Sequence, residues 1–134
     1  MKKTYHGSCH CQAVRFECSI DLDAGTSKCN CSFCGKLRFW KAFIGGDALQ
    51  ILAGADNLTQ YQFGSKTITH SFCRTCGVKP FGQGNLEVMG GPFYAVNLSV
   101  LDDLSLEELL AAPLEYQDGL HDNWGEAPTE TRHL

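Results

Sequence analysis

Cys73-Arg74-Thr75-Cys76-Gly77 is a short stretch, just past the middle of a 134-residue chain, in which two cysteines are spaced for a metal ion. Two residues between them let both thiolates turn toward one ion at about 2.3 Å. Gly77 follows directly, and glycine permits the positive φ that such a tight turn often needs. One such pair would be a weak signal, but two more cysteine groups lie upstream: Cys9-His10-Cys11 and Cys29-Asn30-Cys31-Ser32-Phe33-Cys34.

The setting of these cysteines favours metal binding over disulfides. Seven of the eight cysteines belong to the three groups. The two lysines near the start of the chain are not followed by an apolar stretch, as a secretory signal would require. No run approaches about 18 apolar residues, the length of a membrane span. We therefore expect a cytoplasmic protein, and in that reducing compartment clustered cysteines indicate a metal site or redox chemistry.

Seven ligands divide most simply into four and three. The first and third groups would share one ion across a loop of roughly 60 residues, and a structural zinc can contribute about 10–16 kcal/mol of apparent binding energy. The second group then keeps three thiolates, and the fourth position of its zinc would hold water or substrate. Spacing leaves a pairing of the first and second groups open as well. The simplest division places Cys9, Cys11, Cys73 and Cys76 together, and Cys29, Cys31 and Cys34 together.

Other interpretations of the cysteines stay open. Both ions could be structural, with a histidine closing the second site, and the histidines nearest to a cysteine group are His6, His10 and His70. An iron–sulfur cluster also takes four thiolates, although a division into four and three fits it poorly. Redox chemistry through Cys73 and Cys76 is a further alternative, but no βαβ pattern surrounds that pair.

Several basic residues flank the cysteine groups and could offset the charge of three thiolates or hold the carboxylates of a ligand. Each of them alone is more often a solvated surface residue, so we expect them at the surface. They are Lys36, Arg38 and Lys41 after the second group, and Arg74 and Lys79 around the third.

Alternating apolar and polar residues predict a mainly β fold. The clearest strands are Ala13–Ile20, whose apolar face includes Cys18 as a core thiol, and Tyr94–Val100. One short C-terminal helix is predicted by the capping box Ser105-Leu106-Glu107-Glu108 and is ended by Pro113. Weaker strand candidates are Phe39–Ile44, Leu49–Leu52, Thr59–Phe63 and Thr67–Phe72. Strands so numerous and short predict small antiparallel sheets.

The charge of the chain bears on its partners. The formal net charge is −4 and the pI is about 5.6, so the chain has no general attraction to a phosphate backbone. We expect a small-molecule substrate as partner, and neither nucleic acid nor a membrane. The oligomeric state has no signature in the sequence.

The cysteine motifs together resemble those of the glutathione-dependent formaldehyde-activating enzyme family, which also includes a centromere protein. The matching stretches are Gly7–Cys11, Cys29–Cys34, Phe72–Gly77, and Val96-Asn97-Leu98 followed by Leu101-Asp102. The resemblance implies one such domain over residues 1–134, with a β-tent fold of small antiparallel sheets around a structural zinc. It also implies two Zn²⁺ per chain: a structural ion on Cys9, Cys11, Cys73 and Cys76, and a catalytic ion on Cys29, Cys31 and Cys34.

The activity that the resemblance implies is that of a carbon–sulfur lyase. The substrates would be a glutathione-like thiol and a small aldehyde, or their S-hydroxymethyl adduct. Three thiolates weaken the Lewis acidity of zinc, so binding of the substrate thiol is the more natural role for the open position. His121 with Asp122 is a candidate acid–base pair in the polar tail. The alternatives are a non-catalytic, zinc-stabilised interaction module and a thiol or metal sensor.

Overall fold

The computed structural model describes residues 1–134 as a mainly β structure with two sheets. The smaller sheet is antiparallel and has the order β1 (Lys3–Ser8), β2 (Arg15–Ile20) and β5 (Leu49–Ala53). On β2 the apolar alternation seen in the sequence becomes one buried face, made by Phe16, Cys18 and Ile20. Cys18 is therefore a core thiol, as predicted.

The larger sheet has seven strands, and its edges bring distant parts of the chain together. Every neighbouring pair in it is antiparallel except the first, β10 with β3, which is parallel. The order is β10 (Leu114–Gln117), β3 (Thr26–Cys29), β4 (Lys41–Gly45), β9 (Gly91–Asn97), β8 (Phe81–Leu86), β7 (Ile68–Cys73) and β6 (Leu58–Tyr61).

The main core lies between the two sheets. Phe16 of the small sheet and Phe81 of the large sheet meet edge to face, with ring centroids 5.7 Å apart. Gly7 on the neighbouring strand β1 leaves room for the Phe16 ring, because a Cβ there would lie 2.4 Å from it. Burial of aromatic and aliphatic side chains from both sheets is what joins them.

The helices confirm one prediction and add an element. Helix α2 (Leu106–Ala111) begins at the predicted capping box, in which the Ser105 hydroxyl accepts from the Glu108 backbone N–H and the Glu108 carboxylate accepts from the Ser105 N–H. Helix α1 (Ser32–Leu37) was not predicted. Its six residues are too few to show a helical period, and it lies inside the second cysteine group.

The six predicted strands all occur, with ends shifted by a few residues. The largest shift is in Tyr94–Val100, because β9 ends at Asn97 and Leu98–Val100 forms a 3₁₀ turn. Four strands were missed, namely β1, β3, β8 and β10. Two of them have only four residues, and β8 has glycines where an apolar pattern would show. Neither helix is long and apolar enough to span a membrane.

The contact between the two sheets can be tested at Phe16. We expect Phe16→Ala to lower the free energy of unfolding by about 3–5 kcal/mol, because the substitution leaves a cavity that the packed sheets cannot close. Leu110→Ala is the control, since Leu110 on α2 is 68% exposed and its change should stay within about 0.5 kcal/mol. Chemical denaturation measures both. Equal losses in the two variants would contradict this account of the core.

Candidate functional site

The first and third cysteine groups meet in one cluster. The Sγ atoms of its four cysteines, Cys9, Cys11, Cys73 and Cys76, all lie within 4.8 Å of one another. The Cys9–Cys11 and Cys11–Cys73 Sγ distances are 3.7 and 3.6 Å. Four sulfurs at about 2.3 Å from a tetrahedral ion would be about 3.8 Å apart, so the arrangement fits a metal ion. The pairing of the first and second groups does not occur.

Two of these cysteines lie at the ends of strands, and backbone N–H groups donate hydrogen bonds to one of them. Cys73 is the last residue of β7, and Cys9 directly follows β1. The Cys73 sulfur accepts hydrogen bonds from the backbone N–H of Thr75 and Cys76, at 3.4 and 3.5 Å, and from the Asn57 amide at 3.3 Å. The Cys76 and Thr75 N–H groups lower the pKa of Cys73 to about 6. A thiolate, the form that binds metal, is thus favoured.

The second group forms its own cluster, in which all three Sγ atoms lie within 4.8 Å. Cys29 ends β3, Cys31 is the N-cap of α1, and Cys34 lies in its first turn. The sulfurs of Cys29 and Cys31 each accept a backbone N–H at 3.3 Å. Hydrogen bonds from the Cys29 and Cys34 thiols hold the pKa of Cys31 far below its ordinary value. We refer to this cluster as the three-cysteine site.

No histidine completes the three-cysteine site. His6 is bound to Asp103 at 2.9 Å, and His10 is exposed. His70 is buried but belongs to neither cysteine cluster, because its Nδ1 lies 2.8 Å from the Lys79 ammonium. A four-coordinate ion on these three sulfurs would therefore keep one position for a ligand from solution.

Two of the flanking basic residues lie in the interior, against the expectation from the sequence. Lys41 and Lys79 are each only 5% exposed. Lys41 is on β4, which pairs with β3, the strand that ends at Cys29. Lys79 lies in sequence between the third cysteine group and β8. Lys36, Arg38 and Arg74 are exposed, as predicted. The local sequence around each lysine does not predict its burial, because the burial arises from the pairing of strands that are distant in sequence.

Each of the two lysines has one side-chain hydrogen-bond partner and an aromatic ring near its ammonium. The Lys41 ammonium donates to the Gln117 side-chain oxygen at 3.2 Å. The Lys79 ammonium lies 4.0 Å from the centre of the Phe39 ring. Burial lowers the pKa of Lys79 to about 8, with the Cys34 thiolate opposing the shift. Burial likewise lowers the pKa of Lys41, again opposed by the Cys34 thiolate.

A group of aromatic rings lies beside the three-cysteine site. Phe33, inside the second cysteine group, stacks on the His70 imidazole with centroids 4.0 Å apart. Phe63 and Tyr61 from the β6–β7 hairpin extend the group, at 5.6 and 5.9 Å from the Phe33 ring. Both hairpin rings are partly exposed. The rings form a flat apolar surface beside the cysteines.

The C-terminal tail covers the other side of the three-cysteine site. Asn30 binds it there, because its amide donates to Asp118 at 2.9 Å and its side-chain oxygen accepts the Leu120 backbone N–H at 3.0 Å. Gly119 lies directly on Cys29, and a Cβ at this glycine would be 2.7 Å from the Cys29 sulfur and 2.5 Å from the Trp124 ring. Only glycine permits this approach.

The predicted partner of His121 was wrong. Its Nδ1 lies 2.9 Å from both carboxylate oxygens of Asp118, and Asp122 instead accepts from the Trp124 indole at 2.8 Å. A hydrogen bond from Asn30, with a further one from His121, lowers the pKa of Asp118. The 3₁₀ turn Gly119–His121 places the histidine and Asp118 on one side. A cavity of about 410 Å³ opens beside them, with Asn30 in its wall.

The fold and site define a small, mainly β protein with two cysteine clusters, each suited to a metal ion, of which one lacks a fourth protein ligand. The family model for the glutathione-dependent formaldehyde-activating enzyme matches residues 4–116. The crystal structure of a Rhodobacter sphaeroides protein is similar at 35% identity and a TM-score of 0.69, over 82% of this chain and 99% of that one. The chain belongs to the glutathione-dependent formaldehyde-activating enzyme family.

Sequence reasoning found every cysteine of the two clusters but missed the residues that support them. Asn30, Asp118 and Gly119 were not among the predicted site residues. The asparagine between the cysteines of the second group was the one local signal, since an amide can cap a neighbouring segment through both its oxygen and its nitrogen. The other contacts arise from the parallel pairing of β10 with β3.

The hydrogen bonds between Asn30 and the C-terminal tail can be tested by substitution. We expect Asn30→Ala to speed hydrogen exchange of the Leu120 amide about tenfold, because the acceptor of that N–H is removed and a second hydrogen bond is lost with it. Asn85→Ala on β8 is the matched control and should leave the Leu120 amide unchanged. Hydrogen-exchange mass spectrometry or NMR follows the change. Equal exchange rates in all three proteins would show that Asn30 does not hold the tail.

Proposed function

We propose that this protein is a zinc-dependent enzyme that forms or cleaves the carbon–sulfur bond between a glutathione-like thiol and a small aldehyde. The single observation that carries the proposal is the three-cysteine site, where three sulfurs within 4.8 Å of one another lack a fourth protein ligand. Membership of the family gives the reaction its chemical class. Sulfur-rich donor sets suit zinc, which supports the choice of ion for both clusters.

Cys29, Cys31 and Cys34 would hold the ion of the active site. A zinc ion there would supply an exchangeable position that stabilises a substrate thiol as its thiolate at neutral pH. The four-cysteine cluster would be structural, because it joins the end of β1 to the end of β7 and has no ligand position left. The division of roles thus follows the number of sulfurs in each cluster.

The proposed reaction moves one proton, from the substrate thiol to the oxygen of the product. The thiolate sulfur forms a bond to the aldehyde carbon, the π electrons of the carbonyl move to its oxygen, and that oxygen takes up the proton that the thiol lost. The product is an S-hydroxyalkyl thioether. In the reverse direction the hydroxyl loses its proton, the carbonyl forms again and the carbon–sulfur bond breaks.

His121 is our candidate for moving that proton. Because its Nδ1 faces the Asp118 carboxylate, this nitrogen carries the hydrogen of the neutral ring and Nε2 is the free acceptor. Asp118 would hold the ring in this orientation. The histidine side chain is 70% exposed, so it can exchange protons with water. The neighbouring cavity gives a small aldehyde room beside it.

Metal content tests the division into two kinds of site. We expect about two zinc ions per wild-type chain, about one in Cys31→Ser with the fold retained, and loss of the fold in Cys76→Ser. The structural cluster joins distant strands, and its binding energy is folding energy. Cys18→Ala is the control, because Cys18 is a core thiol outside both clusters. Elemental analysis and circular dichroism measure the outcome. Unfolding of Cys31→Ser would indicate two structural ions and favour a non-catalytic module.

Turnover tests the reaction and the histidine together. With ¹³C-formaldehyde and glutathione, exchange NMR should show the wild type accelerating formation of the S-hydroxymethyl adduct over the spontaneous rate. We expect His121→Asn to lower kcat about 100-fold, the usual range for a general acid–base group, with its zinc content unchanged. His10→Asn is the control at an exposed histidine. A wild type without acceleration for glutathione or any small thiol would remove the enzymatic proposal.

A further inference from the structure

We propose that Lys41 and Lys79 form a buried cationic pair that makes the three-cysteine site accept an anionic fourth ligand in preference to a neutral one. This inference rests on the proposed function and deepens it, since it specifies that the substrate thiol binds in its thiolate form. The two lysines would be positioning residues, which act on the ligand through the charge of the site.

The two lysines are buried without a carboxylate partner, although a buried ammonium group requires a negative charge nearby. An ammonium group has three hydrogen-bond donors, yet Lys41 makes one side-chain hydrogen bond, to Gln117, and Lys79 makes one, to His70. Neither forms an ion pair with a carboxylate, since other groups make all the ion pairs of the structure. An unpaired charge at 5% exposure is costly, so negative charge is needed close by.

The three-cysteine site is the nearest source of that negative charge. Phe39 packs with Cys29 and Cys34 in one buried cluster, and its ring lies 4.0 Å from the Lys79 ammonium. Lys41 reaches the site through Gln117, which accepts from its ammonium at 3.2 Å and pairs with Cys29 across β10 and β3. Both ammonium groups therefore lie beside residues that pack or pair with the three-cysteine site.

One residue links the two lysines through the sheet. Asn97 pairs with Lys41 across β4 and β9, and its side-chain amide donates to the Lys79 carbonyl at 2.8 Å. His70 holds the Lys79 ammonium itself. Because an ammonium only donates, His70 Nδ1 must accept, and the imidazole is neutral with its proton on Nε2. The positive charge at this point thus belongs to Lys79.

The net charge of the site and the two lysines favours an anionic ligand. Three thiolates and a divalent cation carry one net negative charge, and two ammonium groups change this to one net positive charge. A fourth thiolate makes the buried group neutral, whereas water or another neutral ligand leaves it charged. Since a buried net charge is costly, the lysines favour an anion in the open position.

Cobalt(II) in place of zinc gives a spectroscopic test that does not depend on turnover. Its absorption bands report each ligand that enters the open position of the doubly loaded, full-length protein. The probes are 2-mercaptoethanol, azide as an anion without sulfur, and imidazole as a neutral ligand. We expect Lys41→Met and Lys79→Met each to weaken azide and thiol binding about tenfold or more, because a buried charge is poorly screened. Imidazole binding should change less than about threefold.

The controls separate failure of this inference from failure of the proposed function. Lys2→Met removes the same charge at an exposed position and should leave all three affinities unchanged. A wild type that binds thiol while both buried-lysine variants bind azide and thiol equally well would overturn the inference and leave the proposed function standing. A wild type that binds no thiol at cobalt would overturn both.

The wild type by itself provides a second test, which holds even where a lysine variant does not fold. We expect it to bind azide more tightly than imidazole. Added salt should reduce this difference in affinity only slightly, because the two lysines are buried. Imidazole binding as tight as azide binding would overturn the inference.

Discussion

The meeting of Cys9 and Cys11 with Cys73 and Cys76 is the constraint on which the rest of the structure depends. These cysteines follow a strand of the small sheet and end a strand of the large one, so one cluster ties the two sheets together. The rings of Phe16 and Phe81 form a second contact between the two sheets, inside the main core. A metal ion on these four sulfurs would add its binding energy to a link between residues 62 positions apart, Cys11 and Cys73.

The second cluster is built in the opposite way. Its sulfurs come from one short segment, so it requires no distant strand to assemble, and its loss need not open the fold. Distant residues instead define its surroundings, with Lys41 and Lys79 buried behind it and the tail from Asp118 over its side. The three sulfurs are thus brought together locally, whereas the residues around them come from distant parts of the chain.

Particular residues show why prediction succeeded in some places and failed in others. Cysteine spacing is local, so the ligand sets could be read from it and from the family resemblance. The capping box at Ser105 was predicted for the same reason, since all its partners lie within one turn. Lys41 and Lys79 were placed at the surface because lysine usually is, and His121 was paired with its neighbour Asp122 although the chain turns it toward Asp118.

The sequence by itself determined the chemistry available to this protein: seven cysteines in three groups, a mainly β pattern and a net negative charge. Only the tertiary structure decided which groups share a cluster, which cations lie beside the three sulfurs, and which carboxylate holds the histidine. The physical reason is that ligand spacing acts over a few residues of chain. Burial and charge pairing arise from strands that are far apart in sequence and adjacent in the sheet.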